Sequence, residues 1–263
     1  MQNILVCFVC IIVIVVVTFP LKILTRILTS KKHFDGPIYC IMVTGKDSDR
    51  IRLARKAIKN FLEQTYQNKV LVIVNHHESE SVINQESLQN VFEFHVSKEG
   101  HTLGDLRNIA LQLVAHNACW TTWDDDDYRH PQYLEVLSTY KTDNNVVAIS
   151  NRLEYNSNNK TSWVGFKRNG FVFFLASFDN RVQYLSKDTM EDVNILIDFE
   201  NLGYTIKVID NDPKLYVRIV HANNTSLYVK PTRDYLVRSS QYSERFTNKT
   251  EYNYINTILQ NVL

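Results

Sequence analysis

Two uninterrupted apolar runs constrain this chain more than any other feature. Residues 38–43 (IYCIMV) and 69–74 (KVLVIV) lack the apolar–polar alternation of a strand with one wet face, so both faces must be covered. Between them Ile51, Ala54, Ile58, Phe61 and Leu62 recur at helical spacing over residues 48–64, with Asp47 or Ser48 as N-cap. Strand, helix and strand joined by short links predict a parallel, doubly wound sheet. The alternation continues with a strand at 91–96, a helix at 103–116, a strand at 119–123, a helix opening at His130-Pro131 and a strand at 146–150. The second half is less regular. There 161–167 and 171–177 predict an aromatic hairpin, 191–202 a helix closed by Gly203, and 204–210 and 215–220 two strands.

Composition removes several function classes. The 29 Lys+Arg balance 28 Asp+Glu to leave +1, which gives a nucleic-acid binder no electrostatic footing. With 7 Gly in 263 residues, neither G-x-G-x-x-G nor G-x-x-x-x-G-K-[ST] occurs, which argues against dinucleotide and P-loop enzymes. Four cysteines are too few for a disulfide scaffold, and Cys40 and Cys119 read as small buried hydrophobes.

Residues 4–21 carry no charge, about the length of a spanning helix, and no small-residue cleavage site follows. An uncleaved single-pass anchor is expected over 1–35. Lys22, Arg26, Lys31 and Lys32 behind it place the body in the cytosol by the positive-inside bias, while N-x-[ST] sequons at Asn159, Asn223, Asn224 and Asn248 keep a lumenal placement open.

The fourth body strand runs straight into Asp124-Asp125-Asp126-Asp127. Ligands of an open parallel sheet gather outside the carboxyl ends of its strands, so these acids stand at the binding rim. Four adjacent carboxylates need water or a hard cation, and a divalent metal is the expectation.

The ordered set of segments Phe61-Leu62-Glu63-Gln64-Thr65-Tyr66, Leu103-Gly104-Asp105-Leu106-Arg107-Asn108, Trp123-Asp124-Asp125-Asp126-Asp127, Met190-Glu191-Asp192 and Val217-Arg218-Ile219-Val220-His221 resembles family 2 glycosyltransferases. The resemblance covers roughly residues 37–228. It implies a GT-A type α/β fold, with a Rossmann-like nucleotide half and a smaller mixed acceptor half. The implied domains are 1–35 anchor, 36–228 transferase and 229–263 a helical tail.

By the same resemblance Asp124 contacts the ribose or the metal, and Asp126, Asp127 and His221 hold Mn²⁺ or Mg²⁺, with Asp125 beside them on the donor side. Arg107 either meets phosphate or makes a helix–sheet salt bridge. Asp192 is the implied base, paired with Glu191, although Thr189 and Asp192 also match a capping box. The family's D-D-G-S and P-x-Y-N loops are replaced here by Asn75-His76-His77-Glu78 and Thr44-Gly45-Lys46-Asp47. Thr44, Asp47, Asn75 or Glu78 could supply the missing nucleoside contact. Trp163 is the acceptor candidate among aromatics that otherwise serve as core.

The resulting expectation is a membrane-anchored, metal-dependent, inverting transferase using a nucleotide-sugar donor, UDP-linked by family. Its acceptor is a glycan, a lipid-linked sugar or a protein. A catalytically silent module of the same fold and a metal-dependent nucleotidyl or phosphoryl transferase are the alternatives.

Overall fold

The computed structural model describes residues 34–83, 88–149, 152–156, 161–165, 174–209, 215–221 and 224. The expected anchor and the expected helical tail lie outside the described residues. Among those described, no helix is long and apolar enough to cross a membrane.

In chain order the elements are β1 (Ile38–Thr44), α1 (Ser48–Leu62), β2 (Lys69–Asn75), β3 (Val91–His95), α2 (Leu103–Leu111), β4 (Cys119–Thr122) and β5 (Tyr128–Arg129). There follow α3 (Tyr133–Tyr140), β6 (Asn145–Ile149), β7 (Arg152–Asn156), β8 (Thr161–Gly165), β9 (Phe174–Ser177), α4 (Ile195–Asn201), β10 (Thr205–Ile209) and β11 (Tyr216–Val220). The main sheet has seven strands in the order β10-β6-β9-β4-β1-β2-β3, and β5-β11-β7-β8 form a smaller mixed sheet. Every pairing in the main sheet is parallel except those of β9, which runs against β4 and β6. The expected α/β architecture with a mostly parallel sheet is therefore present.

Burial on both faces follows the strand period of two. Ile38, Cys40 and Met42 of β1 pack on Ile51, Ala54, Ile58 and Phe61 of α1 and on Leu134 and Leu137 of α3. Ile41 of β1 and Val72 and Val74 of β2 face the other way, in the cluster that holds Leu106 and Ala110 of α2 and Leu196 and Phe199 of α4. Helices thus cover both sides, as the apolar runs demanded.

This winding creates a switch point. The chain leaves β1 through α1 on one face toward β2 and β3, then returns through α2 on the other face to β4. β1 consequently pairs with β2 along one edge and with β4 along the other. The crevice outside the carboxyl ends of β1 and β4 is where such a sheet binds ligands.

Three local expectations are corrected. The hairpin of 161–167 with 171–177 does not form, because β8 pairs with β7 while β9 enters the main sheet. Phe174, Leu175 and Ala176 of β9 are at most 1% exposed, so this all-apolar segment satisfies both faces only inside a sheet. The helix expected over 103–116 ends at Leu111, where Leu113 N–H and Val114 N–H bond back three residues and tighten the last turn. The capping box read at Thr189 and Asp192 caps nothing, since α4 begins only at Ile195.

Candidate functional site

The carboxyl end of β1 and the turn after β4 are joined by side chains. Thr44 Oγ1 donates to Asp125 Oδ2 at 2.6 Å. Asp47 caps α1 by accepting Arg50 N–H at 2.9 Å, which fixes the first turn of that helix beside the acidic run. From that turn the Arg50 guanidinium reaches both Asp125 Oδ1 and Asp126 Oδ2, the second at 2.5 Å. Nothing in the sequence singles out Arg50, because nothing there places α1 against a strand end 75 residues later.

Asp126 is a meeting point of distant segments. Its Oδ2 also accepts from Asn224 Nδ2 at 3.0 Å and lies 3.2 Å from His221 Nε2, both just beyond β11. His221 is in turn held by its own N–H on Asn224 Oδ1 at 2.6 Å. Burial works against the Asp126 charge, yet Arg50 and His221 outweigh it and hold this carboxyl below its ordinary range.

Its neighbours behave oppositely. Burial raises Asp125 despite Arg50, and burial together with the Asp126 and Asp124 charges raises Asp127. Asp127 turns away from the crevice onto Tyr216 Oη and onto Ile219 N–H at 3.0 Å, where it anchors the small sheet.

Asp124 faces α2. Arg107 Nη2 donates to its Oδ1 at 2.9 Å, while Nη1 stands 3.0 Å from Glu191 Oε1. The guanidinium lies over the Tyr184 ring at 5.2 Å. One arginine therefore joins the acidic turn to the 191–192 segment. Burial raises the Glu191 pKa against the pull of Arg107. Asp192 beside it is half-buried. Beneath Asp124 the wholly buried Arg129 stacks on Trp123 at 4.4 Å and donates to Thr122 O at 3.1 Å.

The other expected positions separate. Asn75 is fully buried and engaged, donating to Glu80 O at 2.8 Å and Glu93 Oε1 at 2.6 Å and accepting His77 N–H at 2.8 Å, so it shapes the loop after β2. Glu78 is exposed and forms no hydrogen bond or ion pair among the described residues. Asp47 is committed to its cap. The start of α2 is also filled, by the Thr102–Asp105 capping box, by Asp188 on Leu103 N–H and by Lys187 O on Gly104 N–H, so it offers no free amides beside Arg107. Trp163 stands in β8 opposite Glu154, and its side chain is outside the described set.

The expected metal set, Asp126 with Asp127 and His221, does not assemble. Among the described residues no three His, Cys, Asp or Glu groups converge as a metal site. Asp126 and His221 stand at a separation two ligands of one ion could share, but Asp127 points elsewhere and Arg50 already faces the Asp126 oxygen. That oxygen also accepts from Asn224 and has His221 close by, so a cation could reach it only by displacing the guanidinium. As folded, these residues do not fit a divalent cation.

No protein-family model matches the sequence, and no curated protein matches it. Among solved structures the chain is similar to the mannosyltransferase PcManGT from Pyrobaculum calidifontis in complex with GDP-Man and Mn²⁺, at 14% identity and a TM-score of 0.46. The likeness covers 73% of this chain and 59% of that one, less than two thirds of its length, and it carries no functional argument for this chain.

Proposed function

We propose that the crevice outside the carboxyl ends of β1 and β4 is the donor site of a glycosyltransferase that moves a sugar from a nucleotide diphosphate to a hydroxyl acceptor. The observation that carries this reading is convergence at the topological switch point. Thr44, Arg50, Arg107, the Asp124, Asp125 and Asp126 turn, Glu191, and His221 with Asn224 come from distant parts of the chain and are linked there by hydrogen bonds and ion pairs. Such a site suits a ligand that is itself both charged and polar, and the ordered family 2 motifs point to the same chemistry.

In this reading the Arg107–Glu191 pair positions Asp192 at the mouth of the crevice. Asp192 takes the proton of the acceptor hydroxyl as its oxygen attacks the anomeric carbon. The bond from that carbon to the diphosphate oxygen breaks on the opposite face, with inversion. Fixed guanidinium groups meet the charge on the leaving diphosphate. The same reading takes a UDP-linked donor, an acceptor site that includes Trp163, and an anchor over residues 1–35 that holds the chain at a membrane bearing a glycan, lipid-linked or protein acceptor.

The test is nucleotide release from UDP-, GDP- and CDP-sugars by the full-length chain across an acceptor panel, with Asp192→Asn beside it. Turnover lost in the variant with donor binding retained supports the reading. Donor binding without turnover on any acceptor favours the silent module, a reading to which the internal pairing of Asp124, Asp125 and Asp126 lends some weight.

A further inference from the structure

Arg50 leaves the first turn of α1, where Asp47 fixes its backbone N–H, and crosses to two carboxylates of the acidic turn. Its side chain is 11% exposed, and those of Asp125 and Asp126 are 1% and 9% exposed, so water screens the arrangement little. The Asp126 oxygen that would bind a metal already receives this charge, Asn224 and the close approach of His221.

We propose that Arg50 is the resident counter-ion of the Asp125–Asp126 pair, taking the place a divalent cation would occupy, and that the site therefore excludes such a cation and binds a diphosphate without one. A guanidinium suits that role. It stays charged at every working pH, and its planar fork bridges two carboxylates that one ammonium could not satisfy equally. Two of its five N–H groups are engaged among the described residues, which leaves donors for phosphate oxygens at the same spot. The diphosphate part rests on the transferase reading; the counter-ion part does not.

The experiment is a titration of Mn²⁺ alone into the full-length chain, read by loss of the free-ion paramagnetic resonance signal. Wild type is expected to bind no Mn²⁺ up to millimolar concentration. Arg50→Ala, which leaves two carboxylates without a counter-ion, is expected to bind at least about tenfold tighter, and adding Asp126→Asn should remove the gain. Arg50→Lys, keeping a charge at the position, should stay close to wild type. Because Arg50→Ala can lose its fold, thermal unfolding of wild type with and without millimolar Mn²⁺ supplies a second readout, and no rise in midpoint is expected.

Saturable Mn²⁺ binding by wild type, or a midpoint raised by the ion, overturns the proposal. So does an Arg50→Ala chain that folds and binds no tighter. UDP and GDP binding in the presence of EDTA separates the two readings. Binding under EDTA supports both, and binding only with Mn²⁺ supports the transferase while sinking the counter-ion. No nucleotide binding, with Mn²⁺ uptake gained in Arg50→Ala, sinks the transferase and leaves the counter-ion standing.

Discussion

Thr44 and Asp125 meet across the switch point, the threonine hydroxyl donating to the carboxylate at 2.6 Å over 81 positions of sequence. That bond ties the last residue of β1 to the turn after β4 and holds Asp125 where Arg50 can reach it. Thr44→Val keeps the shape and removes the donor from a buried acceptor, so a loss of about 1–3 kcal/mol in urea unfolding is expected. Asp125→Ala leaves the guanidinium short of a partner and should cost about 3–5 kcal/mol. A Thr44→Val chain as stable as wild type would show that the bond holds nothing.

Asp127 gives stability a distinctive pH dependence. Burial and the neighbouring aspartates push its pKa from 3.8 up to about 8 in the folded chain. Between those values the native state keeps a proton that the unfolded chain has released. The associated stability is full below about pH 4 and is lost as pH rises through about 8. Asp127→Asn stays neutral throughout, so its urea midpoint should fall less than that of wild type between pH 5 and 9. Parallel curves would contradict this.

Glu93 predicts the reverse slope. Burial opposes its charge, but Ser81, the Val82 and Ile83 amides and Asn75 all donate to it and hold its pKa below 4.5. Its contribution is present above the ordinary glutamate range and is lost as pH falls through the depressed value. Glu93→Gln should lower stability at neutral pH and flatten the acid limb of the same titration.

Gly104 is a steric test of the link between α2 and the 185–191 segment. A Cβ there would stand 1.8 Å from Leu185 O, a backbone atom with no freedom to swing aside. Gly104→Ala should cost about 1–3 kcal/mol or more and part α2 from that segment. Because Arg107 lies one turn further on, nucleotide binding should weaken in the same variant. Intact binding with lowered stability would show that the Arg107–Glu191 contact does not depend on this packing.

Asp192 and Glu191 should separate in kinetics. Asp192→Asn, changing the proposed base, is expected to lower kcat by about 10²–10⁴ with donor affinity kept. Glu191→Gln acts through Arg107 and should weaken donor binding more than kcat. Equal effects on both parameters from both changes would remove the distinction.

The sheet was legible in the sequence because β1 and β2 are apolar on consecutive residues, a pattern only a strand covered on both faces tolerates. The place of Asp124–Asp127 at a strand end was legible for the same reason. Arg50 was not, since it is one of several cations on α1 beside Arg52, Arg55, Lys56 and Lys59, and only the register of β1 against β4 singles it out. The loop contacts of Asn75 were not legible either, because a buried amide serving a loop looks, in sequence, like an exposed one serving a nucleotide. Asp127 shared the run with Asp126, but the turn sends consecutive side chains in different directions, Asp126 to Arg50, His221 and Asn224 and Asp127 to Tyr216 and Ile219.

Calorimetric titration of UDP and GDP into the full-length chain under EDTA, with Arg107→Met alongside, tests the central claim most directly. The account predicts saturable binding of one nucleotide, weakened at least about tenfold in the variant. A folded wild-type chain that binds neither nucleotide at millimolar concentration, under EDTA or with Mn²⁺ added, would contradict it.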